Sequence, residues 1–165
     1  MDLMAADPGL SGGLCFVRDG KVVELLDMPT LPDGSNRQVD VNAVCRRIDK
    51  WKPRHCIIEN VQPMPSIPGA NGVRRGMGAA SSFRFGFAVG QIRAVAVCYG
   101  MEVRLVHPQS WKRWAGLKGS DKEQSRMKAL ELVPSAVPWL GLKKHHNRAE
   151  ALLLALYGLD SIGML

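Results

Sequence analysis

Asp19-Gly20, set between the apolar, β-rich runs Leu14 to Val17 and Val22 to Leu26, constrains the fold of this chain more than any other feature. Such a pair between two apolar runs is a strong hairpin signal, because the turn joining two twisted strands favours positive φ, which Gly and Asp tolerate. Just upstream, the short apolar stretch Leu3-Met4-Ala5-Ala6 is read as a strand from its position, although its intrinsic propensity is weak. Three consecutive antiparallel strands are therefore expected to open the chain.

Pro29, Pro32, Asp33, Gly34 and Asn36 mark a loop after them. Asp40 is placed to cap a helix whose apolar residues Val41, Val44, Cys45 and Ile48 fall at i, i+3, i+4 and i+7, ending before Pro53. A strand over Cys56 to Ile58 delivers Glu59, and the Pro- and Gly-rich stretch from Asn60 to about Gly78 has no periodic pattern. A loop of that length inside a compact domain is usually functional or mobile. Next comes a helix of small residues and aromatics running to about Ala96, suited to tight packing beneath a sheet, then a strand over Val103 to Val106. Helical segments at Gln109 to Trp114 and Asp121 to Leu132 follow, the second capped by Ser120 or Asp121. Pro134 and Pro138 break the chain before a last helix from about Asn147 to Leu159. The order β-β-β-α-β-α-β-α implies a mixed α/β layer fold in one domain over residues 1–165, well inside the usual domain range of about 50 to 250 residues.

On that framework three carboxylates stand at element ends. Asp7 follows the first strand and opens the turn Pro8-Gly9, Glu59 ends the fourth strand, and Glu150 enters the apolar run Ala151 to Tyr157. The nearest basic neighbour of any of them is Arg148, two residues before Glu150 and so on another face of a helix. Carboxylates gathered without compensation must protonate or bind a cation, and hard divalent ions with oxygen ligands are the natural guests. Each acid also has an ordinary structural reading: Asp-Pro-Gly is a common turn, Glu59 suits a strand end facing water, and Glu150 suits the first turn of a helix, where it complements the dipole. Their joint placement is what points to a metal-dependent site.

Charge indicates what such a site would act on. The chain carries a formal net charge of +7, and residues 60–118 hold eight basic side chains against the single acid Glu102, so the flanks cancel. A basic middle framed by acids suits a polyanion whose phosphates approach cations held by those acids, with nucleic acid as the leading partner. Cys15, Cys45, Cys56 and Cys98 lie far apart with no zinc-type spacing and are expected to be small buried residues in a reducing compartment. No apolar run approaches the roughly 20 residues of a membrane span, and the reading is a cytosolic protein with no membrane partner.

Asp7-Pro8-Gly9 with Ser11-Gly12, Ile57-Ile58-Glu59, and Asn147-Arg148-Ala149-Glu150-Ala151 leading into the apolar helix resemble the RuvC family of Holliday junction resolvases in its phage or prophage branch, within the ribonuclease H-like superfamily. Ser81-Ser82-Phe83-Arg84-Phe85-Gly86 with Gly90, and Val106-His107-Pro108 with Trp111-Lys112, are similar to phage-type members, so the resemblance spans nearly the whole chain. It implies a ribonuclease H-like α/β fold with a five-stranded mixed sheet and helices on both faces. It also implies a homodimeric endonuclease that cuts four-way junctions or other branched DNA in a bacterial or phage-infected cell and leaves 5′-phosphate ends. Two Mg²⁺ ions, with Mn²⁺ as a substitute, would be held by Asp7 as bridging ligand, Glu59 and Glu150. One ion activates the attacking water and the other steadies the leaving oxygen, roughly 3.5 to 4 Å apart.

Many members place an acid three residues before the last carboxylate; here that position is Asn147, a neutral and weaker ligand, which leaves a catalytically weak junction-binding protein of the same fold as the alternative reading, separated from a nuclease by metal-dependent turnover. His146, four residues before Glu150, is a candidate to bind a metal or handle a proton. In the plainer reading, Asn147 caps the helix and His146 is exposed. Lys118 and Lys122 flank a helix start suited to a phosphate, and the resemblance implies that lysines here approach the scissile phosphate, with Lys112 a third candidate. Arg74, Arg75 and Arg84 would follow the DNA backbone without reading sequence. Met64 stands where members often carry an aromatic wedge that opens the junction. The stripe Phe83, Phe87, Gly90 and Ala94 suits either a two-fold contact or burial against the chain's own sheet. Asp7 to Gly13 is also similar to the first phosphate loop of actin-like ATPases, but that reading needs a second domain for which 165 residues leave no room.

Overall fold

The computed structural model describes residues 2–60, 67–68, 74–75, 78–117 and 122–163, with 67–68 and 74–75 described by backbone. The opening hairpin forms as expected: β2 (Gly13–Arg18) and β3 (Lys21–Asp27) run antiparallel and are joined through Asp19 (φ 50°) and Gly20 (φ 73°), both in the left-handed region. β1 (Leu3–Asp7) pairs antiparallel with β2 on one side and parallel with β6 (His55–Glu59) on the other. With β9 (Glu102–Val106) parallel to β6, the sheet order is β3-β2-β1-β6-β9.

The sheet is covered on both faces. Leu3, Ala5, Cys15, Val17 and Ile57 pack with α6 (His146–Ser161), whereas Met4, Ala6, Leu14, Phe16, Cys56 and Ile58 pack toward α1 (Val41–Trp51) and α2 (Ala79–Cys98). Burial of both faces explains why β1 reads as an unbroken apolar run and holds its strand despite two alanines. At Gly158 an added Cβ would fall 2.6 Å from Ile57 Cγ1, so glycine lets α6 approach β6 closely. Asp40 caps α1 as expected, accepting from the Ala43 N–H at 2.9 Å, and the helix ends on Lys52 in the left-handed region (φ 48°) before Pro53.

Several expectations are corrected. The Pro29 to Asn36 segment is not a plain loop: β4 (Thr30–Asp33) and β5 (Asn36–Val39) form a hairpin turned at Gly34 (φ 58°). Within the Pro- and Gly-rich stretch, β7 (Ile67–Pro68) pairs antiparallel with β8 (Arg74–Arg75). Only the later half of α2 lies beneath the sheet, through Ala88, Ile92 and Ala96; Phe83, Phe87, Gly90 and Ala94 all face outward, Phe83 and Phe87 stacked and 74% and 52% exposed. Of the four free cysteines, Cys15 and Cys56 are buried, Cys45 is half-buried and Cys98 is exposed at the end of α2.

α3 (Pro108–Trp114), α4 (Lys122–Leu132) and the short α5 (Val137–Leu140) complete the chain around α6; the caps expected at Ser120 or Asp121 lie outside the described residues. Pro138 does not break the chain but sits in the first turn of α5, where its missing N–H costs nothing. α6 begins at His146 after a tight turn over Lys143–His145, so His145 rather than Asn147 is its N-cap, and no acid lies in its first turn. Among the described residues no helix is long and apolar enough to cross a membrane.

Candidate active site

Strand register alone brings two of the three acids together. β1 and β6 are parallel with Ala6 opposite Ile58, so Asp7 and Glu59 are the next residues on adjacent strands, whose backbones lie roughly 4.8 Å apart. On the other side Asp7 faces Gly13 of β2, and Gly13 faces Asp27 of β3. The first turn of α6 crosses the sheet at Gly13: a Cβ there would lie 3.1 Å from the Asn147 carbonyl oxygen and 3.2 Å from Arg148 Cα. Arg148 then leans to one side and pairs with Asp27 through two 2.7 Å bonds, Nε to Oδ1 and Nη2 to Oδ2, which holds the Asp27 carboxyl below its ordinary range. The helix turns about 100° per residue, so Glu150 leaves it on the opposite side, toward Asp7.

The loop after β1 is equally constrained. Gly12 N–H donates to the Gly9 carbonyl at 2.7 Å, Gly9 N–H donates to Asp7 Oδ1 at 3.3 Å, and a Cβ on Gly12 would fall 2.1 Å from the Asp7 carbonyl oxygen. No side chain fits there, and the resulting turn clasps Asp7.

Electrostatics give this cluster its character. Burial, then the neighbouring Glu59 and, more weakly, Glu150, push the Asp7 carboxyl up to about 7, against the Gly9 hydrogen bond and the Lys112 charge. Glu59, 8% exposed, is likewise raised by burial and by Glu150, while the Trp111 indole, Lys112 and His107 act in the opposite direction. Trp111 Nε1 donates to Glu59 Oε1 at 2.9 Å; Ser125 Oγ of α4 donates to Glu150 Oε1 at 3.3 Å, and Lys112 Nζ lies 4.0 Å from the same oxygen. Excess negative charge from three carboxylates, with oxygen donors only, is the chemistry that a hard divalent cation satisfies. As the side chains stand, no three His, Cys, Asp or Glu groups among the described residues are close enough to grip one ion. Glu59 and Glu150 are turned to the donors of Trp111 and Ser125 instead, the arrangement expected of like charges that repel.

The remaining candidates divide. Lys112 joins the cluster. Lys122 is exposed at the start of α4, one turn before Ser125. His146 Nδ1 lies 3.2 Å from the Lys143 carbonyl oxygen, and no hydrogen bond or ion pair among the described residues joins it to the carboxylates. Asn147 meets the sheet through its backbone at Gly13. Arg84 donates to Asn36 Oδ1 at 2.6 Å and so reaches the β4–β5 turn. Arg74 and Arg75 are placed as β8 by backbone, and Met64 and Lys118 lie outside the described residues. Sequence reasoning missed Trp111 and Ser125 as partners of the acids. Trp111 was visible only as part of a motif, and Ser125 carried no signal at all.

No family model matches this chain, and no curated protein is similar to it in sequence. Solved structures are similar in fold. RuvC of Thermus thermophilus in complex with a Holliday junction substrate superposes with a TM-score of 0.61 at 17% identity, over 99% of this chain and 98% of that one. A second Thermus thermophilus RuvC structure gives 0.53 at 18% identity, over 99% and 98%. The Fowlpox virus resolvase in complex with Holliday junction DNA gives 0.50 at 11% identity, over 99% of each chain. The five-stranded mixed sheet with helices on both faces expected from the sequence is thus the fold observed, and these solved structures match it over nearly their whole length.

Proposed function

We propose that this chain is a divalent-cation-dependent endonuclease that resolves four-way DNA junctions by phosphodiester hydrolysis. The observation that carries the reading is the convergence of Asp7, Glu59 and Glu150 where β1, β6 and α6 meet, with Asp7 pushed up to about 7. The end-to-end likeness to two resolvases bound to junction DNA supports it.

Asp7, central in the cluster, would share two Mg²⁺ or Mn²⁺ ions with Glu59 and Glu150; Asn147, whose side chain has no partner among the described residues, would be the fourth ligand. Bound there, the ions supply Lewis-acid polarisation of the phosphate and a lowered pKa for the attacking water. The protein's own part is electrostatic and positional. Asp7, pushed up to about 7, would release its proton near neutral pH and so be free to hold a cation. Trp111 and Ser125 hold the outer carboxylates, and Lys112 brings positive charge to the Glu150 side, where a phosphate oxygen would approach. Lys122, with Lys118, would extend that charge, Arg84, Arg74 and Arg75 would follow a DNA arm, and Met64 would serve as the wedge. His146 would act as the proton-handling group only after leaving the Lys143 carbonyl.

Cutting a junction symmetrically needs two such sites, and this chain supplies one. The outward stripe Phe83, Phe87, Gly90, Ala94 and Val97 of α2 would form the two-fold contact of a homodimer. The decisive experiment incubates the protein with a synthetic four-way junction, a replication fork and linear duplex, with and without Mg²⁺. Paired nicks in the junction that require Mg²⁺ and vanish in Asp7→Asn and Glu150→Gln are expected. Undiminished cutting by those variants would refute the site, and preferential cutting of forks would make this a broader branched-DNA nuclease.

A further inference from the structure

Two successive residues of α3 address two different carboxylates. Trp111, 1% exposed, donates its indole N–H to Glu59 Oε1 at 2.9 Å, and Lys112 lies 4.0 Å from Glu150 Oε1, to which the 3% exposed Ser125 also donates. Among the described residues, every hydrogen bond and ion pair to these two acids falls on Oε1. Oε2 of Glu59 and Oε2 of Glu150 have no hydrogen-bond or ion-pair partner among the described residues, and neither is a sealed, unpartnered buried atom. Trp111 differs from Lys112 in its freedom: its ring, walled into the core beside Ala115 and α6, cannot swing aside as a lysine stem can.

We propose that Trp111 is a positioning residue that fixes Glu59 by Oε1 and so presents Oε2 alone to a divalent cation, making Glu59 a one-oxygen ligand. This rests on reading the carboxylates as a cation site. A ligand oriented by an outer hydrogen bond loses about 10- to 100-fold in metal affinity when that bond is removed. Trp111→Phe replaces the indole with a smaller phenyl ring, keeping the core aromatic but losing the N–H, so about a tenfold weakening is expected.

The structure supplies internal controls. Trp51 and Trp114 also donate to carboxylates, Glu24 Oε2 at 2.7 Å and Asp160 Oδ2 at 2.9 Å, away from the cluster. In the full chain, Mg²⁺ should shift the Trp111 indole N–H resonance, identified by its absence in Trp111→Phe, and leave those of Trp51 and Trp114 in place. Calorimetric titration with Mn²⁺ alone should show about tenfold weaker binding by Trp111→Phe at unchanged cooperative melting. If Phe unsettles the fold, Glu59→Gln answers from the other side: the Trp111 resonance should remain and its Mg²⁺-induced shift should vanish. Equal Mn²⁺ affinity of wild type and Trp111→Phe, or a shift that survives Glu59→Gln, overturns the positioning role while the cation site stands. A wild-type protein that neither binds Mn²⁺ nor shifts overturns the cation site itself, and the inference with it.

Discussion

Asp7→Asn is expected to stabilise the ion-free protein while abolishing its activity. The Asp7 carboxyl is held at about 7 rather than 3.8 chiefly by burial and then by Glu59 and Glu150. At about 1.36 kcal/mol per pH unit, ionising it in the folded state costs about 4 kcal/mol relative to the unfolded chain. Asp7 retains some solvent contact, which screens part of that cost, so about 2 to 3 kcal/mol is expected in a measurement. The sign follows from proton counting. Between pH 4 and 7 the folded state keeps a proton that the unfolded state has released, so stability falls as pH rises, and above about 7 the whole cost is present. Asparagine has no charge to ionise and keeps a carbonyl oxygen for the Gly9 N–H, so it escapes the cost without losing the turn. For a domain of this size each kcal/mol moves the melting temperature by roughly 2 to 4 °C. In chelator at about pH 8, Asp7→Asn should therefore melt roughly 4 to 12 °C above wild type, and the gap should close as pH falls toward 4. Adding Mg²⁺ should reverse the order, because only the wild-type cluster gains binding free energy. Circular dichroism melts of both proteins across pH test this. Equal melting at pH 8, or a gap independent of pH, would refute the claim that Asp7 is strained by its neighbours.

Gly12→Ala should abolish cutting and leave a folded but less stable protein, since its Cβ would meet the Asp7 carbonyl at 2.1 Å and must move the clasp; melting and junction assays in parallel would show both. In Lys112→Gln, loss of a charge that lowers both Asp7 and Glu59 should move the acid limb of the pH–rate profile to higher pH; an unmoved limb would remove Lys112 from the cluster. The double variant Phe83→Glu, Phe87→Glu places charge on the outward face of α2 and should yield a monomer in light scattering that nicks junctions singly rather than in pairs. A variant that stays dimeric would place the two-fold contact elsewhere.

Where the sequence was legible, it was so for local reasons. Asp19-Gly20 sets a hairpin whatever surrounds it, and Asp40 caps α1 through its own Ala43. The pairing of Asp7 with Glu59 also follows once two strands are parallel neighbours, since each acid ends its strand. What stayed hidden depends on partners distant in the chain. β4 and β5 are short and largely exposed, so they carry no alternating pattern, and Pro29, Pro32 and Gly34 read only as punctuation. In α2 small and aromatic residues occur on both faces, and which half is covered is decided by where the sheet ends. Trp111 meets Glu59 across 52 residues, a contact that no periodicity announces.

The third corner shows how a site is fixed without any signal in its own residues. Glu150 is the fifth residue of α6, beyond the first turn, so the helix dipole does not account for its position. Its direction is set by a line of residues running across three strands, Asp7, Gly13 and Asp27. Gly13 has no side chain, so the backbone of Asn147 and Arg148 can rest on it, and a larger residue would lift the helix off the sheet. Arg148 anchored to Asp27 at one end of that line fixes the rotation of α6, and a helix so fixed must send Glu150 toward the other end, where Asp7 stands. The Arg148 charge, two residues from Glu150, is thereby engaged by Asp27, which leaves Lys112 as the cation nearest the carboxylate cluster among the described residues.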